Sequence, residues 1–94
     1  MTAELFVPRR GEAFILHTFD NQQFPAALER VTPLRSRRPG AGGAAFSLEF
    51  RVPGQTVLPQ RIYRLEHPGL GVFDVFLVPL ALDDSGLQLQ AIFN

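Results

Sequence analysis

The chain has no cysteine and no lysine, a single tyrosine, a single methionine, and no formal net charge at neutral pH. Without cysteine there are no disulfides, no thiol nucleophile and no thiolate metal ligands, so a packed core must supply the stability. The absence does not fix a compartment. All nine basic residues are arginine, a bias that fits a GC-rich coding sequence at least as well as selection for bidentate anion contacts. Nine acidic residues balance them, so no global field draws the protein to nucleic acid or to an anionic membrane. No apolar run reaches the ~20 residues a membrane helix requires, and MTAELFVPRRGEAF lacks the basic-then-apolar order of a signal peptide. The expectation is a cytoplasmic protein that makes no membrane contact.

What is present is apolar material broken by turn formers. Ninety-four residues, 46% of them hydrophobic, fit one domain, because a chain of this size buries only roughly two-thirds of its unfolded surface. Eight Pro and eight Gly interrupt every stretch long enough for a three-turn helix, and Phe and Val recur between them with period two. Strands are expected near Glu12 to Thr18, Pro25 to Thr32 and Ala45 to Val52. In the last of these Phe46, Leu48 and Phe50 alternate with Ser47, Glu49 and Arg51, as a half-buried strand requires. Three more follow as RIYRLEH, VFDVFLVPL and LQLQAIFN, joined by PGLG and LDDSG. Only Thr2 to Phe6 suits a helical turn. The fold class is therefore all-β: a small six-stranded antiparallel barrel or tight sandwich, residues 1–94, ending in a three-strand meander.

Register decides which face of the meander is buried. With His67 opposite Gly71, Leu65 faces Phe73, Tyr63 faces Val75, and Arg64 meets Asp74 as an opposite-charge pair. Continuing with Leu77 opposite Leu89 leaves Ile62, Phe76, Val78 and Ile92 outside. A four-residue turn at Asp83 to Gly86 instead pairs Leu80 with Leu89 and buries the even-numbered side. Either way VFLVPLAL is apolar on both faces, so the segment around Phe6 and Val7 or another chain must cover it.

Chemistry-bearing residues are sparse. His17 and His67 titrate near neutrality, but neither has a cysteine or a second histidine at metal-ligand spacing, and His67 reads as part of a His-Pro-Gly turn. Ser36, Ser47 and Ser85 sit in no nucleophile elbow, and Asp83 and Asp84 read as a solvated turn. No catalytic residue, metal or cofactor is expected. Residues 33–44 form an Arg-, Gly- and Pro-rich stretch expected to be an exposed loop. Its Arg35, Arg37 and Arg38 could grip an anion or a partner, but no aromatic lies among them for a base to stack on, which argues against nucleic acid.

Phe50-Arg51, Leu58-x-Gln60, Ile62-Tyr63, His67-Pro68-x-x-Gly71, Phe76 to Pro79 and Ala91-x-Phe93-Asn94 form a pattern that resembles a family of small bacterial domains of unknown function. Phe6 and Gly11-Glu12-x-Phe14 fit the same pattern. Domains of that kind are associated with phage-tail-like genes, so the resemblance implies a structural or assembly role and no reaction. The leading expectation is a nonenzymatic protein-interaction module, homo-oligomeric or docked on an assembly partner, using Ile62, Phe76, Val78 and Ile92. The alternative is a small-ligand-binding barrel or minor enzyme that uses the barrel mouth.

Overall fold

Period-two alternation and turn-forming breaks build six antiparallel strands in the computed structural model, which describes residues 1–34 and 45–94. They are β1 (Ala13–His17), β2 (Gln23–Pro33), β3 (Phe46–Val52), β4 (Arg61–His67), β5 (Gly71–Asp83) and β6 (Gly86–Phe93). Two 3₁₀ turns, Ala3–Leu5 and Val7–Arg9, precede them. Thr2 precedes the first turn, but its side chain makes no capping bond. Strand order β1-β2-β3-β6-β5-β4 closes on itself through β1 and β4, which decides between the two expected architectures in favour of the barrel. Closure gives every strand two neighbours, so none is left as an edge strand. The closing seam is short: Ile15, Leu16 and His17 pair with Glu66, Leu65 and Arg64.

Two strands are long because each serves two neighbours. β2 pairs with β1 up to Ala27 and with β3 from Ala27 to Pro33, and β5 pairs with β4 from Gly71 to Leu77 and with β6 from Val78 to Asp83. Pro25 lies inside β2 rather than at its start, opposite Ile15. β2 also takes Pro33, the first residue of the expected loop, and the Leu34 N–H donates to the Ala45 carbonyl at 2.8 Å. Arg35, Arg37 and Arg38 lie outside the described residues.

The β4–β5 register is the expected one, from His67 opposite Gly71 to Ile62 opposite Phe76. The β5–β6 register is neither of the two alternatives along its whole length. At the tip Asp83 pairs with Gly86 and Leu82 with Leu87, as the four-residue turn requires. A bulge at Leu80 then shifts the ladder by one, so that Pro79 opposes Leu89 and Val78 opposes Gln90. One extra residue exchanges the faces of a strand. The bulge therefore returns Val75 and Leu77 to the interior despite the turn. A second bulge, between Leu28 and Arg30, leaves Glu29 and Arg30 exposed and Leu28 buried.

The interior is filled by Phe14, Leu16, Leu28, Leu48, Phe50, Leu65, Leu77 and Leu89, none with any exposed area. Phe6 enters one end. Its ring lies 6.0 to 6.4 Å from those of Phe14, Phe46, Phe73 and Phe93. At the start of β4 the segment leading in from β3 contributes Leu58 to the core, and the Tyr63 hydroxyl donates to the Pro59 carbonyl at 2.5 Å. The N-terminal segment thus covers Phe73 at a barrel end and leaves Phe76 outside.

Candidate functional site

Because side chains alternate across a strand, the outward residues of β1, β4 and β5 share one wall of the barrel. Arg64 sits directly opposite Asp74, Glu66 opposite Val72 and Ile62 opposite Phe76. The β1–β2 turn rises beside this wall. The Thr18 hydroxyl accepts the Gln22 N–H at 3.0 Å, and Asn21 adopts φ 66°, the left-handed conformation that Asn tolerates in turns. Wall and turn border an open groove of about 670 Å³ that runs from Phe19, Asn21 and Gln23 across to Ile62, Arg64 and Val72.

Two cross-strand pairs form the groove floor. His17 Nε2 lies 2.9 Å from Glu66 Oε1, and Arg64 Nε lies 3.4 Å from Asp74 Oδ1. Each carboxylate engages its partner through one oxygen. Among the described residues Glu66 Oε2, Asp74 Oδ2 and the side-chain amides of Asn21 and Gln23 have no protein hydrogen bond. At the rim the Arg61 guanidinium stacks 4.2 Å above the ring of Phe19, which remains 78% exposed. The pairing of Arg64 with Asp74 is readable from the strand pattern. The approach of His17 to Glu66 is not, because it depends on β1 closing against β4 across 49 residues of chain.

His67 sits elsewhere, at the far end of β4 and facing inward. The Gly69 N–H donates to its Nδ1 at 2.9 Å, so that nitrogen carries a lone pair. Nε2 therefore holds the proton and donates it to Glu12 Oε1 at 2.7 Å. The ring also packs 4.6 Å from Phe14. Both nitrogens are committed, and the arrangement clamps the His67-Pro68-Gly69 turn onto the start of β1. The two histidines point to opposite faces and do not converge.

The matching family model is that of a domain of unknown function (DUF6916), and it covers residues 1–93. The chain belongs to this family. No curated protein and no solved structure matches it. In this DUF6916 domain, no three His, Cys, Asp or Glu side chains among the described residues form a metal-binding group, and no described helix is long and apolar enough to cross a membrane.

A third cluster ties the β5–β6 tip to β3. Arg51 Nε lies 3.1 and 3.0 Å from the two carboxylate oxygens of Glu29, and its Nη1 donates to Asp83 Oδ1 at 2.9 Å. The Glu29 bond is the main cause that raises the Arg51 pKa. Asp83 Oδ1 also accepts the Ser85 hydroxyl at 2.9 Å and the Ser85 N–H at 2.8 Å. These bonds, the hydroxyl's foremost, hold the Asp83 carboxyl below its ordinary range. The DDSG segment is thus a turn locked by its own first aspartate.

The apolar residues singled out on the last three strands remain outside. Ile62 is 66%, Phe76 51% and Ile92 56% exposed, while Val78 is half-buried. Phe76 and Ile92 each lie two residues beyond the paired Val78 and Gln90. Val72 and Leu80, also exposed, extend the apolar surface along β5.

Proposed function

We propose that this domain is a nonenzymatic interaction module that associates with a second copy of itself through the outward cluster of Ile62, Phe76, Val78 and Ile92. The observation that carries this reading is the exposure of that cluster while the N-terminal segment, the chain's own candidate cover, is spent plugging the barrel end. An apolar patch left on a packed barrel marks a contact surface. The cluster consists of outward side chains, so a partner meets a face rather than extending the sheet. Zero net charge means that two copies approach without mutual repulsion. The interior is packed with side chains, which favours a surface contact over a ligand held in the barrel mouth.

Sedimentation velocity over a concentration series tests the proposal, with Phe76→Asp as the variant. A carboxylate in a desolvated contact is costly, and loss of a central aromatic anchor weakens association by more than about tenfold. Far-UV circular dichroism of the variant should match the parent, because Phe76 is half exposed. A parent chain that sediments as a monomer at the highest concentration overturns the reading, as does unchanged association by a folded Phe76→Asp variant.

A further inference from the structure

We propose that the outer groove between the β1–β2 turn and the β4–β5 wall is a binding site for an uncharged, polyhydroxylated ligand of the oligosaccharide class. This goes beyond the self-association reading and rests on largely different residues, the two surfaces sharing Ile62 and, at their border, Val72. The groove's volume, about 670 Å³, falls within the range of small-ligand sites.

Its chemistry narrows the class. An anion such as a phosphate would face two carboxylates, Glu66 and Asp74, with Arg64 already turned to one of them. A simple cation would compete with His17 and Arg64 for those same carboxylates. An extended peptide would need a strand to pair with, and every strand at the groove already lies between two neighbours. What the groove does offer is planar groups with spare hydrogen-bonding capacity. Glu66 and Asp74 each keep an acceptor oxygen, while Asn21 and Gln23 present both a donor and an acceptor. Hydroxyl groups, which donate and accept at once, match such a mixed array without bringing charge. Phe19, Ile62 and Val72 supply apolar walls, which suit the C–H faces of a sugar ring. The existing pairs also hold the floor in place: Glu66 is oriented by His17 and Asp74 by Arg64 before a ligand arrives, so less side-chain entropy is lost on binding.

The test is a two-dimensional amide NMR titration of the isotope-labelled full chain with cellohexaose, maltohexaose and chitohexaose, each at concentrations on the order of millimolar, as expected for modest pocket affinities. At least one probe should shift amides in Thr18–Gln23 and Arg64–Asp74. Asp74→Ala and Gln23→Ala should each weaken that binding about fivefold or more while the remaining spectrum stays that of the folded parent. Phe76→Asp should leave it intact, so this inference and the self-association reading can fail separately. The inference is overturned if no probe shifts groove amides, if the shifts map elsewhere, or if both groove variants bind as the parent does. Binding of a sulfated oligosaccharide in place of the neutral ones also overturns it, in favour of an anion site.

Discussion

Replacing Phe6 with alanine tests whether the first ten residues belong to the barrel's core or merely lie against it. Phe6 has no exposed area and meets four aromatic rings, so truncation removes a buried ring and empties the space among them. Returning such a side chain to water costs about 2–3 kcal/mol, and the unfilled cavity brings the usual total for Phe→Ala to about 3–5 kcal/mol. For a domain of this size that corresponds to a fall in Tm of roughly 12–40 °C. It is also a large share of the ~5–15 kcal/mol by which such domains are stable. Urea denaturation followed by far-UV circular dichroism is the suitable assay, since the chain has no tryptophan and one tyrosine. Phe6→Leu should retain most of the packing and lose about 1 kcal/mol. A Phe6→Ala variant within about 1 kcal/mol of the parent would show that the barrel holds together without its plug, since a true core truncation costs more, and the argument that the N-terminal segment is spent on the core would fall.

Two further outcomes follow from the β5–β6 tip. Gly86 has φ 121°, and a Cβ there would lie 2.2 Å from the Val52 carbonyl oxygen, so Gly86→Ala should cost about 3 kcal/mol or more through backbone displacement and strain; a urea midpoint equal to the parent's would refute that geometry. Asp83 is held below its unfolded pKa. It contributes stability at pH above its ordinary carboxyl range, and that contribution fades as pH falls through the lowered folded value. Asp83→Asn should therefore be less stable than the parent at pH 7, the two converging toward low pH in an acid titration of Tm. A difference that stays constant with pH would rule out this linkage.

The strands and their turns were legible in the sequence because each rests on local signals: alternation in Phe46 to Val52, a Pro-Gly turn after His67, Asp and Gly around Ser85. The β4–β5 register was legible too, since one pairing satisfies charge and burial together at Arg64–Asp74 and Tyr63–Val75. The β5–β6 register was not, because two pairings each satisfied part of the pattern. The bulge at Leu80 has one local mark, the preceding Pro79, since a strand proline favours a bulge or an edge, but that mark does not say which pairing results. The groove was hidden for a related reason. His17 and Glu66 are brought together by β1 closing against β4, a long-range event that no window of sequence displays. Glu12 and His67 meet across 55 residues for the same reason.

The three-pair junction of β1 with β4 is the shortest ladder in the cylinder, and hydrogen exchange should therefore be fastest there among the inter-strand amides. A transient parting at this place would unveil two bare strand margins at once, the kind of template on which identical chains stack into aggregates. His17 and Glu66 bridge that weak line from outside, and the groove lies directly above it. An occupant bound there would act as a clasp, and its benefit would register as slower exchange at Ile15 and Leu65 and a lower tendency to precipitate on warming.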